Sequence, residues 1–438
     1  MRRFILAAAF VHWLAFGLSG GVAQTSIPIA EGYARTKVNM TIFRHNALCT
    51  FQNRQVASFY DPEGTVVLAE RLHGQSEWKL HRTEHSGRVT DAHNSISMAF
   101  DGNGILHVSW DHHGHPLKYC RSADASSLIL KTPESMTETL EERVTYPEFY
   151  RLASGDLLFF YRDGSSGNGN LVLNRFDVKT QKWHRLHDNL IDGEGQRNAY
   201  WQVATGSDDV IHLSWVWRET GDVTTNHDLC HAVSSDGGIT WKTMTGAPLS
   251  VPVTATSADY AARIPQNSEL SNQTTMAVDT QGDPHIALFH RPAPDAVPQY
   301  FVVSWTGSAW VKHQVGERTL NFFRRGGGTK RPPISRPVLV VQNHGDHSRA
   351  VMLFRDQERG GGITAATCDE IDRPVWNFTN LTDHAVGQAD PLIDIDFWKS
   401  NGQIHVLSQF VGQGDGEKEE DVPPQMVSVI EWSPFAGK

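Results

Sequence analysis

One short apolar strand recurs seven times along this chain, and few architectures accommodate such a repeat. Its instances are Val56-Ala-Ser-Phe-Tyr60, Leu106-His-Val-Ser-Trp110, Leu157-Leu-Phe-Phe-Tyr161, Ile211-His-Leu-Ser-Trp215, His285-Ile-Ala-Leu-Phe289, Val351-Met-Leu-Phe354 and Ile404-His-Val-Leu-Ser408. Their last residues lie 50, 51, 54, 74, 65 and 54 positions apart. About four strands of five or six residues, with their turns, need that much chain. Helical periodicity is scarce, and only Pro133 to Arg143 reads as a short helix on a loop. Seven similar β units without a helical layer predict an all-β, seven-bladed β-propeller. A pair of β-sandwiches is the competing arrangement.

A second marker supports the propeller. Five of the seven strands are followed, 18 to 26 residues later, by a tryptophan after a polar turn: Trp78, Trp183, Trp241, Trp310 and Trp376. The turn before Trp241 is Ser234-x-Asp236-x-Gly238-x-Thr240, the Asp box of sialidase-type propellers. Blades of a propeller share one core, so residues 24–438 are expected to form a single catalytic domain. The long intervals between blades four and six imply insertions, which in such folds build the rim of a binding face.

Residues 1–23 read as a signal peptide. Met1-Arg2-Arg3 is a basic start, Phe4 to Leu18 is apolar, and small residues precede Gln24. The expected location is secreted or periplasmic, with no membrane span. The net charge of −10 gives no reason to expect nucleic acid. An anionic substrate would instead need a local basic patch, because the overall charge repels it. Cys49, Cys120, Cys230 and Cys368 are too scattered for a zinc motif, and they read as disulfides or as buried free thiols. A monomer without cofactor is expected.

Histidine is frequent, at 22 residues. His107, His212 and His405 occupy one place in the repeated strand, with His285 a residue away, and periodic placement marks a structural job. The clusters outside the repeat are more informative. Asp91-Ala-His93-Asn94 leads into the second repeat strand, and His112-His113-Gly-His115 leaves it. His93 and His113 therefore flank one strand-and-turn unit. Adjacent strand residues point to opposite sides, so His112 and His113 do not suit one metal ion.

Tyr146 precedes the third repeat strand, and Arg162 follows it beside the glycine-rich run Gly164-Ser-Ser-Gly-Asn-Gly169. That setting suits an anionic ligand, the alternative being surface pairing with Asp163 or Asp156. A third group is basic and aromatic: Trp217-Arg218, Tyr260-Ala-Ala-Arg263 and Lys330-Arg331. Such residues suit stacking on sugar rings and pairing with carboxylate or sulfate; an ordinary solvated rim reads the same way. No close carboxylate pair, nucleophile elbow or metal motif stands out. His, Tyr and Arg suit β-elimination from a 4-linked uronic acid: a cation neutralises the carboxylate, and a phenol or imidazole removes the C5 proton.

At these residues the chain resembles the propeller polysaccharide lyases: the ulvan lyases and the enzymes acting on rhamnose-α-1,4-glucuronate. The segments DAHNSISMAFDGNGILHVSWDHHGHPLKYCRS and TYPEFYRLASGDLLFFYRDGSSGNGNLVLNRFD carry the resemblance most specifically. It implies that His93 is catalytic with His113 beside it, that Tyr146 shuttles the proton, and that Arg162 neutralises the uronate. Asn94, Trp217, Arg218, Arg263, Lys330 and Arg331 are then expected to bind an acidic polysaccharide. Some ulvan lyases hold a structural zinc, for which the chain offers no clear counterpart. α-L-Rhamnosidases of the same superfamily are similar too, and the segment around His45 resembles their catalytic position. Hydrolysis through His45, a non-catalytic glycan-binding propeller and a sialidase are the competing readings.

Overall fold

The computed structural model describes residues 24–43 and 46–436. Residues 1–23, expected above to be a signal peptide, and His45 lie outside them. The strands form seven antiparallel sheets arranged as seven blades in a ring. Each repeated segment is the second strand of its blade, counted from the inside. In blade one, for example, Leu48–Phe51, Arg54–Tyr60, Thr65–Leu72 and Lys79–Ser86 pair in sequence. The repeated strand has a neighbour on each side and sheets above and below, which explains its near-continuous apolar composition. All residues of Leu106–Trp110 and Ile404–Ser408 are buried.

The tryptophan markers belong to the strands that follow the third strand of each blade. Trp183, Trp241 and Trp310 begin or nearly begin the strands Lys182–Ile191, Trp241–Lys242 and Trp310–Val315, while Trp78 and Trp376 immediately precede Lys79–Ser86 and Asn377–Asn380. Of the two blades without a marker, one lacks a fourth strand and the other borrows it. Blade two has three strands, Ile96–Phe100, Leu106–Trp110 and Tyr119–Arg121. Blade seven takes its outer strand from the other end of the chain, where Thr25–Gly32 pairs antiparallel with Gln425–Trp432. Removing residues 25–32 would leave Gln425–Trp432 as a bare edge and open the ring. The truncated protein is expected to melt well below the full chain and to aggregate, as thermal unfolding and size-exclusion chromatography would report.

The in-strand histidines are structural, as expected. His107 meets the Tyr119 hydroxyl at 2.7 Å, His285 meets Ser304 Oγ at 2.8 Å, and His405 meets Gln55 Nε2 at 2.9 Å. All four cysteines are buried free thiols. Residues 133–143 do not form the expected helix. The Glu141 carboxylate instead accepts from the backbone N–H groups of Met136 and Thr137 and from the Ser135 hydroxyl, while Glu138 and Leu140 take φ of 65° and 57°. A compact loop thus satisfies the donors that a helix would have used. The α-helix among the described residues is Ile395–Asn401, capped by the Asp394 side chain and ended by Gly402 at φ 64°.

Candidate active site

The inner strands border two cavities. Along Val144–Arg151, Tyr146 faces one cavity, whereas Glu148, Tyr150 and Arg151 face the other. The segment after Met40 separates them, with Phe43 on the first side and Ile42 on the second. The second cavity, about 1210 Å³, holds one ammonium without an acidic partner among the described residues, Lys399, whose Nζ donates to the Thr205 carbonyl and hydroxyl at 2.9 Å each. Arg151 pairs with Asp396 at 2.9 Å, and burial pushes Glu148 up to about 8, so its carboxyl is largely neutral near pH 7.

The first cavity, about 890 Å³, has a different electrostatic character. It is lined by Lys37, Arg162, Arg218, Arg324, Lys330 and Arg336. Four of these cations have acidic partners: Lys37 and Arg336 on Asp390 at 2.9 Å each, Arg324 on Glu269 at 3.0 Å, and Lys330 on Asp415 at 2.9 Å. Arg162 and Arg218 have none among the described residues. The guanidinium groups without an acidic partner that line a cavity, Arg162 and Arg218, thus both face this one.

His93 is set by the turn before blade two. The Asp91 side chain accepts from the His93 backbone N–H at 2.9 Å, closing an Asx turn. Asn94 is buried behind it: its carbonyl accepts from the Tyr60 hydroxyl at 2.6 Å, and its amide donates to the Arg88 carbonyl at 2.9 Å. Asn94 thus fixes the turn and does not line the cavity. Asp91 joins the two imidazoles, with Oδ1 2.7 Å from His93 Nδ1 and Oδ2 2.6 Å from His113 Nδ1. The rings stack at 4.0 Å, 11° from parallel. Glu417, from a loop of blade seven, adds a contact of 3.1 Å to His93 Nδ1. Burial opposes a charge on His93, but Asp91 and Glu417 outweigh it and raise the imidazole to about 9. His113 is lowered by burial and by the neighbouring His93 cation. One imidazolium and one neutral imidazole thus sit side by side. Asp91, His93 and His113 also bring three donor atoms within 4.8 Å of one another, close enough for a metal ion. Their Nδ1 atoms are already engaged on the carboxylate, so a metal would have to displace those hydrogen bonds. His112 faces away and is buried, accepting from the Lys118 backbone N–H at 2.8 Å.

Tyr146 and Arg162 stand next to each other because of strand register. Thr145 pairs with His113 on one side and Arg162 on the other. The register then slips between Thr145 and Glu148, and Tyr146 takes φ 55°. This bulge turns the phenol into the cavity, at a backbone cost of about 1–3 kcal/mol of the kind stored at functional sites. The Arg162 guanidinium lies 5.0 Å over the Tyr146 ring. It is buried, and its Nε and Nη1 have no hydrogen-bond partner. The surface pairing considered for Arg162 does not occur: Asp156 holds Arg175 at 2.7 Å and Asp163 meets Arg143 at 3.3 Å. Gly169 gives the arginine its space, since a Cβ there would lie 2.8 Å from Arg162 Cδ.

A second tyrosine, Tyr200 on the inner strand Asn198–Thr205 of blade four, completes the group. Its ring centre is 5.8 Å from that of Tyr146. Its hydroxyl accepts from Arg218 Nη1 at 3.1 Å and lies 3.1 Å from Ser166 Oγ. Burial resists ionisation, but Arg218 and Arg162, aided by Ser166, bring the Tyr200 phenol down to about 7. Burial and the neighbouring Tyr200 hold Tyr146 well above its ordinary range. The asymmetry has a geometric cause: Tyr200 is hydrogen-bonded by a guanidinium, whereas Tyr146 meets one only across its ring face.

The expected site residues therefore separate into two sets. His93, His113, Tyr146, Arg162, Arg218 and Lys330 line one cavity. Trp217 does not: it is fully buried against Trp215 and has no face for a sugar ring. Arg263 points to solvent, pairs with Asp228 at 3.0 Å and covers Tyr260. Arg331 is exposed and pairs with Glu420 at 2.8 Å. Tyr200, Asp91 and Glu417 are the members that sequence reasoning missed as site residues.

The chain is 23% identical over 436 residues to an ulvan lyase of Alteromonas sp. (strain LOR), covering 89% of each chain. Among solved structures, the polysaccharide lyase Uly1 superposes with a TM-score of 0.67 at 14% identity, covering 94% of this chain and 99% of that one. A PL25 ulvan lyase bound to -[GlcA(1-4)Rha3S]- superposes with a TM-score of 0.65 at 15% identity, covering 93% and 95%. At these identities the structural likeness bears on the fold. The family model of the BNR repeat-containing family matches residues 54–318, more than half of the chain. With that match and seven blades in a ring, this chain belongs to the BNR repeat-containing family.

Proposed function

We propose that the protein is a polysaccharide lyase that breaks the bond to O4 of a 4-linked uronic acid by β-elimination, on rhamnose–glucuronate linkages such as those of ulvan. The observation that carries this reading is Arg162, a buried guanidinium with two unpartnered nitrogens beside two phenols and an imidazolium. A uronate carboxylate fills that vacancy in charge. Arg162 and the His93 imidazolium neutralise it, which makes the C5 hydrogen acidic enough to remove. The Tyr200 phenolate takes the C5 proton. The C4–O4 bond breaks as the C4–C5 double bond forms, and the Tyr146 phenol protonates O4 of the departing sugar. A proton passing from Tyr200 to Tyr146 resets the pair. The opposite pulls on the two phenols are what assign base and acid. A leader at residues 1–23 would carry the protein out of the cytoplasm to such a polymer.

The test is incubation with ulvan and with a rhamnosyl-glucuronate glycan, followed by ultraviolet absorbance and NMR for a 4,5-unsaturated uronate. Release of saturated ends alone would mean hydrolysis and would end the lyase reading.

The same groups set the pH profile. Tyr200 must be deprotonated and His93 protonated, so kcat/KM is expected to rise through about 7 and fall through about 9. Asp91→Asn removes a carboxylate that holds the His93 charge, and it should move the falling limb to lower pH while leaving the rising limb in place. A profile unchanged in that variant would remove His93 from the charged role.

A further inference from the structure

We infer that the cavity is a blind pocket with an unbroken rim, so that the enzyme takes polymer by a chain end and does not cut within it; this rests on the lyase reading above. The rim can be followed contact by contact. It starts at His93, which Glu417 reaches at 3.1 Å from blade seven. Glu417 in turn accepts from Thr329, at 2.6 Å from its backbone N–H and 2.8 Å from its hydroxyl. The Gly416 N–H donates back to the Thr329 carbonyl at 2.9 Å. Gly328 lies so close that a Cβ on it would be 3.1 Å from Gly416 Cα.

Thr329 belongs to the insertion between blades five and six, and the far end of that strap is tied as well. The Val223 N–H of blade four donates to the Gly326 carbonyl at 3.1 Å. The loop of Val223 then meets the blade-three hairpin: a Cβ on Gly167 would be 2.8 Å from Thr220 Cα, and φ there is 78°. The hairpin leads to Arg162, Arg162 pairs in register with Thr145, Thr145 with His113, and His113 stacks on His93. That closes the circuit.

The bottom is closed too. Phe43 packs against His93 at 5.3 Å and Tyr146 at 5.1 Å, with the Arg336 guanidinium 4.6 Å from its ring, and so stands between this cavity and the second one. A polymer bound mid-chain needs two gaps in a rim, one for each direction. Here each link is a backbone contact, a ring stack, a ladder pair or a charged hydrogen bond. Among the described residues, these links leave an entering chain one opening.

High-molar-mass ulvan separates the modes, since absorbance counts bonds broken and viscosity reports where they lie. End-wise action predicts that absorbance rises while viscosity and size distribution hardly change until late in the reaction. An early collapse of viscosity with a ladder of oligomers would overturn the inference and leave the lyase reading intact. Deleting Gly326–Gly328 should open the strap and make viscosity fall several-fold faster per double bond formed. Binding gives a readout that needs no turnover. The Tyr146→Phe/Tyr200→Phe double variant, titrated with uronate oligosaccharides of increasing length, should saturate at one protein per chain. A stoichiometry that grows with chain length would refute the blind pocket whatever the reaction proves to be.

Discussion

Arg162→Ala is expected to lower kcat/KM on a uronate polymer by about 10³-fold, while the melting temperature stays unchanged or rises. The kinetic half follows from the loss of a preorganised donor to developing charge in a dry site, worth about 3–4 kcal/mol. The stability half follows from the folded protein without substrate. A buried cation whose Nε and Nη1 meet nothing is a desolvation cost that the fold bears for function. Arg162→Lys should not restore activity, because an ammonium cannot present a planar fork to a carboxylate. Arg331→Ala, at an exposed ion pair outside the cavity, should stay within about twofold of the parent, as surface pairs contribute little. Steady-state absorbance kinetics and calorimetry check both halves. An Arg162→Ala protein that loses stability and keeps its rate would show that the guanidinium serves packing.

Tyr200→Phe and Tyr146→Phe are each expected to cost about 10²–10⁴-fold, the range for removal of a positioned acid or base. They should differ in pH dependence. Loss of Tyr200 removes the phenolate and with it the rising limb near pH 7, whereas loss of Tyr146 lowers the rate at every pH and keeps that limb. The double variant should be little worse than either single one, because the two phenols act as a unit. A Tyr200→Phe enzyme retaining both full rate and the limb near pH 7 would pass the role of base to His113 or Tyr146.

Fold and site were legible to different depths. The seven repeated strands were readable because each is buried on both faces and carries little but apolar residues. The tryptophans were readable because they mark the start of an outer strand, and the two blades without one have three strands or a borrowed strand. His93, His113, Tyr146 and Arg162 were readable because they cluster within about one blade of chain. Tyr200 was not, because it lies in an ordinary apolar strand, Asn198-Ala-Tyr-Trp201, and gains its character from Arg218 in a neighbouring strand. Glu417 was not, because it reaches His93 from more than 300 residues away. Trp217 and Arg263 were misjudged for the converse reason: an aromatic beside an arginine has the composition of a sugar site, but Trp217 lies in a strand buried on both faces and an acidic partner occupies Arg263.

The joint in blade seven has a bearing on how this molecule comes into being. Thr25–Gly32 waits for Gln425–Trp432, so this strand has no sheet partner until a segment 400 residues further along the chain has been made. Closure of the ring therefore follows the synthesis of Gln425–Trp432, and the search for that distant pairing should dominate the folding time. Linking the two strands by a short turn and opening the chain elsewhere would make the pairing local, and such a permuted protein should refold faster to the same native state.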